Sequence, residues 1–298
     1  MPPGSSALGF GVGLSSAILF GLYMVPRQRS SLADHHFLVT LAAGAMLGTA
    51  LGFAVAGGGI GASRTDIGLA WIAGALWSAG TFCYIASVSR MGLAIATPAK
   101  NTTAVLGTGV GLVVFGEARE TAPLPALVGS ALVVLCAVLL ASAGERAGRR
   151  SRATLPGLLL ALAAALLYAV YTIPFKLALG HGLSLWALLL FMGQGAFVAA
   201  FLGALLRDRG LRFPAPPRAA LGGLLGGLIW AGAVFLMGWG IELVGLAVTW
   251  PLSNLNTVVT VACGVWIFRE IDPRRQRAKL LGGLALAVAG AALLGIAR

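Results

Sequence analysis

Acidic side chains are nearly missing from this sequence: nine Asp and Glu stand against 21 Lys and Arg in 298 residues, and charged residues make up 10% of the total. A soluble domain carries about 25% charged residues. So little charge leaves too little polar surface to cover a globule in water. The nine carboxylates all fall in loops or at the ends of apolar runs, so no pair of acids is placed for general acid–base work or for holding a metal. The three histidines, His35, His36 and His181, read as loop residues, and no nucleophile has a base nearby. No Walker-type phosphate loop is present. These absences set aside an enzyme, an ATP-driven pump and any dependence on a cofactor or metal. Cys83, Cys136 and Cys263 lie inside apolar runs without metal-ligand spacing and read as small packing residues. "MPPGSS" lacks a basic n-region and no small-residue cleavage site follows the first apolar run, which is therefore expected to stay as a helix.

What the chain has in quantity is apolar sequence. It is 58% hydrophobic with mean hydropathy +0.93, 43 Gly and 7 Trp. Apolar runs of about 20 residues, each long enough to cross hydrocarbon, begin near Leu8, Phe37, Ile67, Leu93, Pro123, Leu155, Ser184, Ala219, Gly245 and Ala278. The fold expected is an all-α integral membrane protein of ten transmembrane helices, with the lipid bilayer as its medium. The formal net charge of +12 raises nucleic acid as a partner, but the basic residues sit in short loops and form no continuous face, so membrane topology explains them better. Sixteen of the 21 Lys and Arg follow odd-numbered runs, from Arg27 and Arg29 to the cluster between Arg269 and Lys279. Arg64, Arg119, Lys176 and Arg298 fall on the other side. The positive-inside rule then puts both termini outside, in the periplasm of a cell whose inner (plasma) membrane holds the protein.

The two halves resemble each other. A constant offset of 153 pairs Gly92 with Gly245, Pro98 with Pro251, Asn101 with Asn254, Phe115 with Phe268 and Glu117 with Glu270, without a gap. The same offset pairs Trp77 with Trp230, Phe82 with Phe235 and Gly129 with Gly282, while Tyr23 and Pro26 align with Tyr171 and Pro174. Residues 1–145 and 146–298 thus read as two five-helix repeats. An odd number of helices per repeat makes the second inverted relative to the first, an arrangement suited to alternating access around a central site.

Candidate site residues follow from polar groups at membrane depth. In "TPAKNTT", Lys100 lies about 13 Å along its helix from Met91 at 1.5 Å per residue, near the bilayer midplane. It either lines a polar cavity or snorkels to the interface. Pro98 and Pro251 each free a backbone carbonyl at equivalent places, the pattern of broken helices at a central site. Thr97, Lys100 and Asn101 share one helix face with Thr108, and Trp250, Ser253, Asn254 and Thr257 share the equivalent face in the second half. Amides and hydroxyls beside an indole ring suit a polyhydroxylated ligand; the same groups also serve as glue between helices. Trp77, Trp230 and Gln194 are further candidates, whereas Tyr23 and Tyr171, near helix ends, read first as interface anchors. Glu117 and Glu270 read as structural contacts to loop arginines. Glu242 reads as the least solvated acid and the candidate proton carrier.

Ten helices as five plus five, closed by "FGE" and "FRE", resemble the drug/metabolite transporter superfamily. Within it "GALWSAGTFCYIAS", "MGLAIATPAKNTTAVLGTGVGLVVFGE", "GLAVTWPLSNLNTVVT" and "FREIDPRRQRAKLLGG" are similar to the bacterial glucose/ribose porter family, and "FGLYMVPRQR" also resembles the rhamnose–proton symporters. The resemblance implies a secondary-active carrier that takes up a sugar, driven by a cation, as a monomer or homodimer. Lys100 stands where those porters usually have a small or neutral polar residue. A carrier of the same fold for another, anionic metabolite, in either direction, and a non-transporting membrane sensor or scaffold are the alternatives.

Overall fold

The computed structural model of the chain describes residues 3–56, 59, 61, 63–91, 93–143, 154–210, 217–266 and 274–297, and every regular element among them is helical. The helices are α1 (Pro3–Leu22), α2 (Asp34–Ala56), α3 (Arg64–Met91), α4 (Leu93–Asn101), α5 (Thr103–Gly109), α6 (Pro123–Ala141), α7 (Leu155–Val170), α8 (Thr172–Gly180), α9 (Leu185–Asp208), α10 (Pro217–Val244), α11 (Leu246–Ser253), α12 (Asn256–Trp266) and α13 (Arg277–Ile296). Several starts follow capping chemistry. The Thr154 hydroxyl accepts from the Gly157 N–H at 3.3 Å and the Ser184 hydroxyl from the Ala187 N–H at 3.2 Å, while a proline occupies the opening turn of α6 and α7.

Nine helical stretches among the described residues are long and apolar enough to cross a membrane, and the protein is a multi-pass membrane protein. The expected span from Leu93 is not one of the nine. It runs as α4, α5 and a π turn at Val110–Val114. α11 and α12 are likewise separated by a break. The two interruptions share their hydrogen bonds: Thr102 N–H bonds to Ala99 O and Val105 N–H to Thr102 O, and, at the same offset of 153, Leu255 N–H bonds to Leu252 O and Val258 N–H to Leu255 O. Each break exchanges the i−4 bond for an i−3 bond four residues after a proline. The missing proline N–H and the ring clash act on the turn before each proline, within α4 and α11, so the prolines mark the position of the breaks without themselves removing these bonds.

Packing follows one scheme. α1 lies against α10 and α7 against α3; α2 lies against α10 and α9 against α3; α2 meets α9, and α6 meets α13. This set is unchanged when α1, α2, α3 and α6 are exchanged with α7, α9, α10 and α13. Two of the crossings are backbone-close. A Cβ on Gly74 of α3 would run into Met192 O and Ala196 N of α9, and a Cβ on Gly227 of α10 into Leu41 O and Ala45 N of α2. Without a hydrophobic drive between helices in lipid, such close approach supplies the packing energy.

The crossing is testable. Gly227→Val should destabilise the protein at the upper end of the about 1–3 kcal/mol typical of overpacking, because the obstructing atoms are backbone. Gly68→Ala, where a Cβ meets nothing within 4 Å, should match the parent. Melting temperatures in detergent by fluorescence-detected size exclusion would check both.

Candidate functional site

A cavity lies where the broken helices approach α1, α3, α7 and α10. One wall is aromatic: Trp77 of α3 and Trp230 of α10, both buried, meet with ring centroids 4.2 Å apart and planes at 39°. Trp250 of α11 adds a third indole, with its N–H held by Thr103 O at 2.8 Å and its ring edge-on to Tyr171 at 5.5 Å. Ser253 and Asn254 reach the wall from the break after α11, and both turn back on Trp250 O, at 2.7 and 2.9 Å. The cavity volume is about 40 Å³, well below the roughly 300–1,000 Å³ of ligand-filled small-molecule sites. An adjoining compartment of about 30 Å³ shares Phe20, Tyr23, Lys100 and Asn256 with it and continues past Tyr84, Thr97 and Cys263.

Lys100 stands where the two compartments join. It is 8% exposed, and its ammonium lies 5.6 Å from the Tyr84 ring centroid and 5.9 Å from that of Tyr168. No carboxylate among the described residues forms an ion pair with it. The two tyrosines are held in turn by threonines, Tyr84 by Thr97 and Tyr168 by Thr81, each at 2.9 Å. The Thr103 hydroxyl, also on the cavity wall, has no hydrogen-bond partner among the described residues. The site therefore offers one cation, several hydroxyl and amide groups and broad aromatic faces, without an acid.

The profile of the sugar transport protein family matches residues 12–297. The chain belongs to that family. Among its relatives, the glucose uptake protein GlcU of Bacillus subtilis (strain 168) is 27% identical over 231 residues, covering 76% of this chain and 77% of the relative. A probable glucose uptake protein GlcU of Bacillus cereus (strain ATCC 10987 / NRS 248) is 26% identical over 78% of this chain and 80% of its own length. A solved structure described only as the crystal structure of a protein matches with TM-score 0.71 over 96% of this chain and 95% of that chain, at 20% identity, a likeness of fold alone. The relatives are named as uptake proteins and not as enzymes.

In this sugar transport family member, the sequence-derived candidates separate into three groups. Lys100, Trp77, Trp230, Trp250, Ser253 and Asn254 meet at the first compartment and Thr97 at the second. Asn101 and Thr257 are buried together instead, the Asn101 amide donating to the Thr257 hydroxyl at 2.5 Å, so this pair ties α4 to α12. One residue on from Lys100, Asn101 is turned about 100° around the helix. Gln194 is half-buried on α9 and Glu242 exposed on α10, neither on a cavity wall.

Three readings need correction. Tyr23 and Tyr171 are not interface anchors but buried cavity walls. For Tyr171 the reason is that α7 and α8 form one span, Leu155–Gly180, in which it sits inside the helix rather than near its end. Glu242 is not the least solvated acid, because Glu117 is 8% exposed. Among the described residues, the partner of Glu117 is a lysine and not an arginine. Glu117 pairs with Lys176 and accepts the N–H groups of Leu246 at 2.9 Å and Ala247 at 2.7 Å, which caps α11. Gly245, at φ +85°, lets the chain turn into α11 directly against this carboxylate. Its expected counterpart Glu270 lies outside the described residues. Tyr84 and Tyr168 went unnoticed in the sequence, although Tyr84 follows Trp77 by seven residues and Tyr168 precedes Tyr171 by three, both same-face spacings.

Glu117→Ala should remove the Lys176 ion pair and leave the Leu246 and Ala247 N–H groups without their acceptor, at about 1–3 kcal/mol for each donor left unsatisfied. The double variant Glu117→Ala/Lys176→Met should melt above the single one, since no ammonium then loses its carboxylate. A double variant no more stable than Glu117→Ala would show that the pair carries none of this energy.

Proposed function

We propose that this chain is a secondary-active carrier that takes up a sugar or similar small polar metabolite across the inner membrane by alternating access. The observation that carries the reading is the Trp77–Trp230 stack, formed by residues one repeat apart, beside a mid-helix wall of hydroxyls and amides. Indole and phenol faces cover the C–H face of a sugar ring, while Lys100, Asn254 and Thr103 hydrogen-bond its hydroxyls. The names of the relatives, as glucose uptake proteins, favour a sugar over other polar solutes.

In this reading the chain has ten spans, with α4 and α5 together forming the fourth, and residues 1–145 and 146–298 are inverted repeats. The exchange-invariant packing and the equivalent helix breaks support it. So does the placement of contacts along the bundle. The compartment beyond Lys100 runs toward Val25 and Cys263, on the side of Arg27, whereas Glu117 and Lys176 tie α8 to α11 at the opposite end. With the basic loops in the cytoplasm, that is a carrier closed on the outside. Both termini then face outward: a C-terminal alkaline phosphatase fusion should be active and a green fluorescent protein fusion dark, and the reverse result would overturn the orientation.

A second reading, an anionic ligand, is favoured by one observation: Lys100 has no acid paired with it among the described residues, and a lysine this deep costs about 2.5–3.5 kcal/mol on insertion scales. The two ligand classes predict different losses. For an anion, Lys100→Met removes a charge-assisted bond worth about 1.5–3 kcal/mol, or roughly 10- to 150-fold in affinity, and Lys100→Arg restores part of it. For a neutral sugar, Lys100→Gln should transport nearly as well as Lys100→Arg. Uptake of labelled glucose and of sugar acids into proteoliposomes, normalised to protein, decides between them. Parental uptake by all three variants would remove Lys100 from the site.

A further inference from the structure

Away from the cavity, at the end of the bundle bearing Arg27 and Arg207, folding gathers three groups with metal-binding chemistry. His35 and His36 open α2, and Asp208 is the last residue of α9, which Arg209 ends in a left-handed conformation at φ 51°. His35 Nε2 lies 2.8 Å from one oxygen of Asp208 and His36 Nε2 2.7 Å from the other. One donor atom from each of the three residues lies within 4.8 Å of the others. His36 is 9% and His35 14% exposed at the side chain, so both rings are largely withdrawn from water while an approach from solvent stays open past Asp208, at 22%. The sequence concealed this set, because 172 residues separate His36 from Asp208.

We propose that His35, His36 and Asp208 form a site for a divalent transition-metal ion such as Zn²⁺ or Co²⁺ that staples α2 to α9. Two imidazoles and one carboxylate are a borderline donor set that favours these ions over Mg²⁺ and Ca²⁺, which take oxygen ligands. In a tetrahedral site with metal–nitrogen bonds near 2.0–2.1 Å, ligand atoms stand about 3.3 Å apart, so small rotations of side chains already in contact suffice. Water completes the fourth position. The neighbouring acid, Asp34, is engaged elsewhere, by Arg27 at 2.7 Å and by Ser89 at 2.9 Å, so it is not a fourth ligand. The ion would replace the hydrogen bonds of both imidazoles to Asp208 with metal bonds and fix the α2–α9 contact at this end. Nothing in the proposal depends on which solute the cavity carries.

The test uses full-length protein purified in detergent through a tag without histidine and stripped with EDTA. Added Co²⁺ should give a visible d–d absorption saturating at one ion per chain, Zn²⁺ should abolish it by competition, and Zn²⁺ should raise the melting temperature. His35→Ala/His36→Ala should weaken binding at least about 100-fold, more than loss of an outer-shell partner costs. His181→Ala removes the remaining histidine, which pairs with Asp66 elsewhere, and should bind as the parent does. If the double variant does not fold, His35→Ala alone, at the more exposed ring, decides by the same titration. No cobalt band, or equal binding by the parent and the His35 variants, overturns the site.

Discussion

Inside hydrocarbon every backbone N–H and C=O must find its partner within the protein, and the form of this chain follows from that requirement. It makes each long apolar run a helix and allows irregular backbone only where other helices shield it. The interruptions at Thr102 and Leu255 obey this rule: both lie in the bundle interior, and both re-pair the freed groups through i−3 bonds. A proline, Pro98 or Pro251, stands four residues before each one. The cavity gathers at these interruptions because the side chains beside them leave the regular helical stripe and converge.

Buried charge is treated in two ways. Glu117 receives a cation and two N–H donors, so its desolvation is offset and it can set the position of α11 against α8. Among the described residues, Lys100 receives the faces of Tyr84 and Tyr168. Cation–π contacts at 5.6 and 5.9 Å lie near the outer limit of that interaction and offset little. The first group is committed to structure. The second has no acid paired with it among the described residues.

The halves are joined by contacts that leave little slack. Gly74 and Gly227 bring α3 onto α9 and α10 onto α2 at backbone distance, and the two helices bearing them also hold Trp77 and Trp230. Any sliding of α3 past α10 must therefore restack the indoles. Cavity shape is thus coupled to helix packing, the physical condition for a site that responds to the arrangement of the two halves.

Much of this was legible in the sequence, for reasons of composition and spacing. Scarce charge and long apolar runs determined the class, because water and lipid select for little else. The constant offset of 153 paired Trp77 with Trp230 and Pro98 with Pro251. Depth alone marked Lys100. Tertiary structure decided what spacing cannot: which polar residues face the cavity and which face each other. Asn101, next to Lys100 in sequence, is taken by Thr257 from another helix. Tyr171 looked terminal until α7 and α8 proved to be one span. Glu117 found Lys176 and the start of α11, and His35 and His36 found Asp208, through contacts between residues far apart in the chain. Helical periodicity fixes the direction of a side chain, but its partner is set by the helix that packs opposite.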